Sequence, residues 1–201
     1  MATQYTTAFL ADAVEIINGL DADDLDAMAE VIAATKRHNG RLFIAGSGGG
    51  AGHASHAVCD FRKLAGIEAY SVTDNVSELT ARINDNSWAD SYADWLTASR
   101  IRREDTLFVF SVGGGDAERK ISENLVRAMD RAKEAGASVV GIVGRDGGYV
   151  AKVADAAVVV PTGNPANVTT QTEGFQALLW HLIVLHPALD SATPMWESQT
   201  V

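Results

Sequence analysis

Leu42-Phe43-Ile44-Ala45-Gly46-Ser47-Gly48-Gly49-Gly50 runs from four apolar residues straight into a glycine loop. A short apolar run without alternation suits a parallel strand buried on both faces. The glycines then turn the chain into a helix predicted to begin near Ala51, so the segment reads as strand, loop and helix. Outward from it, β-rich runs recur over 69–73, 106–112, 138–143 and 156–160, with helical patterns over 117–135 and 170–185. Five short strands joined by crossovers predict an α/β fold: a three-layer αβα sandwich around a five-stranded parallel sheet, because right-handed crossovers put helices on both faces. Leu42, Phe43, Ile44, Val109, Val140, Ile142, Val158 and Val159 are expected in its core, with Trp88, Trp95 and Trp180.

Upstream, Ala8, Leu10, Val14, Ile16, Ile17 and Leu20 recur at a helical period. A second helix opens on the acidic Asp21-Ala22-Asp23-Asp24 and runs to about His38, where Asn39-Gly40 ends it. A leading helical pair is therefore expected over about 4–38, ahead of a core over about 41–187. A polar tail, 190–201, carries Pro194 and Trp196.

At 201 residues and 47% apolar content, the chain reads as one domain over 1–201, without repeats or a linker rich in Pro or Ser. A formal net charge of -10 with no basic patch argues against nucleic acid and anionic membranes as partners. Cys59 is the only cysteine, which rules out an intrachain disulfide and fits a reducing compartment. No signal peptide and no membrane-length apolar run are seen, so a cytoplasmic protein is expected.

The loop Gly46 to Gly50 ends at a helix N-terminus, where bare amides would suit an anion. Ser111-Val112-Gly113-Gly114-Gly115-Asp116 follows a second strand in the same way, with Asp116 at the expected helix N-cap. Each loop can equally be a tight turn needing glycine at positive φ. Neither has the dinucleotide or P-loop pattern. Gly144-Arg145-Asp146-Gly147-Gly148 reads as a structural turn capped by its own aspartate.

His53, His56 and Asp60 stand at i, i+3 and i+7 of the first helix after a glycine loop and share one face. His56 and Asp60 can be a surface pair, an acid/base pair or two metal ligands. His181 sits in the apolar stretch 175–185, with Glu173 eight residues earlier and roughly 80° around the helix. A set of two imidazoles and two carboxylates would suit zinc or a similar divalent ion, with a position left for substrate.

These ordered motifs resemble the phosphoheptose isomerases of the SIS (sugar isomerase) superfamily, over roughly 41–185. Gly46-Ser47-Gly48-Gly49-Gly50 followed by His56 and Asp60 is similar to that family's Gly-Asn-Gly-Gly-Ser loop followed by His and Glu. Asn84-Asp85 is similar to its Asn-Asp pair, and Glu173 and His181 fall where it has a Gln and its catalytic His. The resemblance implies the SIS fold and the isomerisation of sedoheptulose 7-phosphate, or a related sugar phosphate, through an enediol. It also implies sites between subunits of a homotetramer, with zinc in some members.

On this chain the resemblance makes Asp60 the base, His181 its acid/base partner, and His56, Asp60, Glu173 and His181 the metal ligands. Ser47, Gly48, Gly49, Gly50, Asn84, Asp85, Ser111, Gly113, Gly114, Gly115 and Asp116 would line the substrate.

Asp60 is a methylene shorter than the family's Glu, a displacement of about 1 Å that matters to rate. Glu173 adds a negative charge that favours a metal. The hydroxyls of the family's Ser-Thr-Ser-Gly-Asn-Ser phosphate loop are missing here, and Arg119, Lys120 and Ser47 are the substitutes at hand. A non-catalytic relative that recognises a sugar phosphate or a protein, as the replication-initiator-associating protein does, is the alternative reading.

Overall fold

The computed structural model describes residues 2–195. Trp196 and the end of the expected tail lie outside them. Two helices lead, α1 (Ala2–Asn18) and α2 (Ala22–Arg37), and Asp21 caps the second by accepting a bond from the Asp23 amide. The strands follow as β1 (Arg41–Gly46), β2 (Glu68–Ser71), β3 (Thr106–Ser111), β4 (Ser138–Val143) and β5 (Ala156–Val159). All pair in parallel in the order β2-β1-β3-β4-β5. Helices α3 (Gly49–Lys63), α6 (Glu123–Glu134), α7 (Val150–Val153) and α8 (Val168–Val184) carry the later connections.

Side chains from alternate faces of the same strands build two cores. Leu42, Ile44, Phe108 and Ile142 meet α2, α3 and α8 on one face, while Phe43, Leu107, Val109 and Val139 meet α6 on the other. The helix leaving β1 and the helix leaving β3 therefore cover opposite faces. Between these strands the winding reverses, which is the place where sheets of this kind take their ligands, beyond the carboxyl ends. That is where the first two glycine loops emerge.

Four expectations are corrected. The segment between β2 and β3 holds two helices not foreseen, α4 (Val76–Asp85) and α5 (Ser91–Ala98). The helix expected from Ala117 begins only at Glu123. Asp116 and Ile121 pair as an antiparallel bridge, and Lys120 and Ser122 take left-handed backbone that no helix continues through. Trp88 is 44% exposed, against the buried Trp180. Val159 is half-buried, because its strand lies at the edge of the sheet.

Candidate functional site

α3 and α8 pack side by side on one face of the sheet, and their facing residues make the candidate centre. On α3 the spacing expected from sequence holds: His56 and Asp60, one turn apart, point the same way. On α8, His181 meets them. The Asp60 carboxylate lies 3.8 Å from His181 Nε2, and the donor atoms of His56, Asp60 and His181 all lie within 4.8 Å of one another. The Asp60 side chain is 19% exposed and that of His181 45%, so the centre is open to a ligand on one side.

Its backing is aromatic. Trp180, fully buried, lies 4.8 Å from the His56 ring, and the two imidazoles stand edge to face at 5.3 Å. His181 Nδ1 is 2.6 Å from the Ala177 carbonyl. A carbonyl can only accept, so Nδ1 carries a proton, and Nε2 is turned toward Asp60. An imidazole nitrogen and a carboxylate set that way attract when a proton or a cation lies between them. A donor set of two imidazoles and one carboxylate, with one imidazole tied to a carbonyl, is what a catalytic divalent site requires. The residues fit such an ion.

Glu173 does not join this group. It stands eight residues before His181, about 12 Å along the helix, and its carboxylate turns onto the first glycine loop, 2.6 Å from where a Cβ on Gly49 would be. His53 lies against it. Burial holds the His53 imidazole below the usual histidine range, the Glu173 charge and carbonyl pull the other way, and His56 and His181 add to the depression.

The expected loop residues divide. Gly48 has φ +58 with open space around it, while Gly50 packs against the Phe110 carbonyl. Ser47 accepts from Asn124 Nδ2 at 3.3 Å, and Tyr92 donates to the Gly46 carbonyl at 2.8 Å. Asn124 and Tyr92 were missed from sequence. The only signal was an amide inside the apolar face of α6, and Asn124 is fully buried.

The second loop is built differently. Gly114 and Gly115 have positive φ, and their carbonyls accept from the amides of Val150 and Tyr149. A Cβ at Gly114 would collide with the Gly147 carbonyl. Ser111 Oγ is taken up by the Gly114 amide, at 3.1 Å. Asp116 caps a turn rather than a helix, accepting from the amides of Glu118 and Arg119, which hold its carboxyl below the usual range. Asn84 and Asp85 bond to each other at the exposed end of α4. The turn after β4 is closed by Asp146 accepting from Gly148, as expected.

Among the described residues no helix is long and apolar enough to cross a membrane. The chain matches the SIS domain over residues 4–144. It is 31% identical over 188 residues to the lincomycin biosynthesis protein LmbN of Streptomyces lincolnensis, covering 88% of this chain and 66% of that one, so it spans just under two thirds of that relative's length. It is 31% identical over 163 residues to the phosphoheptose isomerase of Rhodospirillum rubrum, covering 79% and 78% of the two chains. In fold it is similar to the solved phosphoheptose isomerase GmhA of Neisseria gonorrhoeae, with a TM-score of 0.80 at 23% identity over 94% of this chain and 99% of that one.

Proposed function

This chain belongs to the SIS domain family, and from that premise we propose that it is an aldose-ketose isomerase acting on a heptose phosphate such as sedoheptulose 7-phosphate. The single observation that carries the reading is the meeting of Asp60 and His181 at 3.8 Å, from two helices packed side by side. An enediol route needs a base for the proton on carbon beside the carbonyl, and a partner that takes up and returns a hydroxyl proton. Asp60, a carboxylate group partly open to solvent beside His181, suits the first role. His181, with Nε2 turned to Asp60 and Nδ1 held by a backbone carbonyl, suits the second. A binder would have no need of either group in a cleft.

His56, Asp60 and His181 are the residues that would hold a zinc ion, without Glu173, whose carboxylate lies at Gly49. Such an ion, when bound, would polarise the substrate carbonyl. Ser47 and the amides of Gly48 and Gly49 would orient the sugar on the other side of the crevice.

The proposed assembly is a homotetramer with sites between subunits. Two exposed apolar stripes support it: Leu10, Val14 and Ile17 on α1, and Leu178 and Leu182 on α8 with Leu185 at its C-cap, all at least 44% exposed. The second stripe flanks His181, so a neighbouring copy seated there would close over the centre. The reading carries a cytoplasmic setting with it. Incubating the purified protein with sedoheptulose 7-phosphate, with and without added zinc, tests it. Appearance of an aldose phosphate that is lost in H181Q supports the proposal, and no interconversion of any ketose phosphate under either condition sinks it.

A further inference from the structure

The face of the sheet opposite the α3/α8 centre reaches the first glycine loop through two buried polar side chains. Tyr92 on α5 is 1% exposed and Asn124 on α6 is fully buried. Tyr92 Oη donates to the Gly46 carbonyl at 2.8 Å, and Asn124 Nδ2 donates to Ser47 Oγ at 3.3 Å. Two helices far apart in the chain thus hold consecutive residues of one loop.

Packing does not explain either polar group. Asn124 shares the buried face of α6 with Leu125, Ala128 and Met129, where a leucine of similar size would fill the space with no amide to satisfy. Its Oδ1 has no hydrogen-bond partner among the described residues. A buried group left half-satisfied destabilises the fold and calls for another reason. The Tyr92 ring belongs to the second core and meets Trp88 edge to face at 5.6 Å, contacts that a phenylalanine would also make. Burial raises its phenol above the ordinary tyrosine range, with Ser47 and Asn124 pulling the other way as neighbours, so the hydroxyl keeps its proton and donates.

The direction of these bonds decides what Ser47 can do. An amide NH2 only donates, so Asn124 occupies a lone pair of Ser47 Oγ and fixes that oxygen in place. The Ser47 proton then rests toward Tyr92 or turns outward to a ligand oxygen, since a hydroxyl rotates to suit. Ser47 is half-buried, and Gly48 and Gly49 beyond it are exposed, Gly48 with open space around it. One hydroxyl and bare amides therefore face outward from a single turn. An uncharged oxygen suits them, because the Glu173 carboxylate over Gly49 would repel an anion.

The frame around the loop is stiff. The Gly50 amide donates to the Ser47 carbonyl at 3.1 Å, and Gly50 packs against the Phe110 carbonyl. Arg127 of α6 pairs with Asp90 at the N-cap of α5 and with Glu123 at 2.6 Å, which ties the two helices together beside Tyr92 and Asn124.

We propose that Tyr92 and Asn124 are positioning residues for the isomerisation: they hold Gly46 and Ser47 so that Ser47 donates its proton to a hydroxyl or carbonyl oxygen of the sugar. The role rests on the isomerase reading. It adds an uncharged anchor for the sugar, supported from the face of the sheet that does not carry Asp60 and His181.

Steady-state kinetics on sedoheptulose 7-phosphate with S47A, Y92F, N124L and the S47A/N124L double variant test this. Each single variant is expected to raise KM about three- to tenfold, with kcat within about twofold of the parent. The double variant should raise KM no further than S47A does, because Asn124 acts through Ser47. N124L should melt at or above the parent's temperature, which a structural role for the amide would not allow. Additive losses in the double variant, or an unchanged KM in S47A and Y92F, overturn the proposal. A fall in kcat at constant KM overturns it too, since the pair would then act through α3 on Asp60. Should N124L not fold, S47A, Y92F and S47A/Y92F decide on the same terms.

Calorimetric binding of sedoheptulose 7-phosphate by the same proteins separates the two readings. A parent that binds the ketose without converting it, and binds it more weakly as S47A, Y92F and N124L, overturns the isomerase reading and leaves the anchor standing. Neither binding nor turnover by the parent overturns both.

Discussion

Two glycine runs of nearly the same composition, Gly48 to Gly50 and Gly113 to Gly115, end neighbouring strands of one sheet and do opposite work. The first opens at its start: Gly48 has empty space around it and Gly49 faces the Glu173 carboxylate, while Gly50 packs against the Phe110 carbonyl. The second is closed, its backbone joined to the loop after β4 by amide bonds, with Gly114 set against the Gly147 carbonyl and Gly115 against the Val126 side chain. One run gives a ligand access to backbone, and the other gives two loops access to each other. Glycine content therefore marks close approach, and only the neighbour decides whether a substrate or the protein itself makes that approach.

The largest effect expected on the open side is chemical. D60N should lower kcat about 10²- to 10⁴-fold, the range for losing a general base, with little change in melting temperature because Asp60 is part of no core cluster. A comparable loss of stability in D60N would show that the α3/α8 junction is structural, and the contrast between the loops would weaken. Activity assay and thermal denaturation on the same preparation decide this.

On the closed side the largest effect should be on folding. G114A must place a Cβ against the Gly147 carbonyl at φ +70, a combined clash and strain of about 3 kcal/mol or more. G48A, with positive φ but open space, should cost only about 1–2 kcal/mol. Urea denaturation measures both. Equal losses would mean that the second loop is no more rigid than the first.

A smaller effect concerns Glu173. In G49A the new methyl displaces the far end of a flexible side chain rather than backbone, so stability should change by less than about 1 kcal/mol. Substrate affinity should change instead. An unaltered KM would show that the Glu173 carboxylate plays no part at the open loop.

The smallest is a pH effect. Burial depresses the His53 pKa in the folded protein, so its contribution to stability is fully present above the unfolded value of about 6.5 and is lost as pH falls through the folded value. The melting temperature should therefore drop less steeply between pH 7 and pH 5 in H53Q than in the parent. Parallel curves would show that His53 gains its proton without penalty, as on an open surface.

The parallel sheet was legible in the sequence because a strand buried on both faces leaves a continuous apolar run, and all five runs became strands within two residues of their expected ends. The His56 and Asp60 pair was legible because helical spacing alone sets it. The start of α6 was misread, because 117–120 is composed like a helix but is pinned as a turn by Asp116 and by its bridge to Ile121. The helices α4 and α5 went unread. α4 has no buried residue, so its apolar signal is weak. Glu173 was expected beside His181, and the structure instead sets its carboxylate at Gly49.

Local pattern thus determined the layers, the strand order's raw material and one helix face bearing an imidazole and a carboxylate, since each depends on residues within a few turns of one another. Tertiary packing alone decided that His181 would complete that face, that one glycine run would stay open while the other closed, and that Tyr92 and Asn124 would hold the first of them. Those outcomes join segments far apart in the chain, and their distances are set by which strands pair and which face each crossover helix covers. Periodicity in sequence carries no record of either.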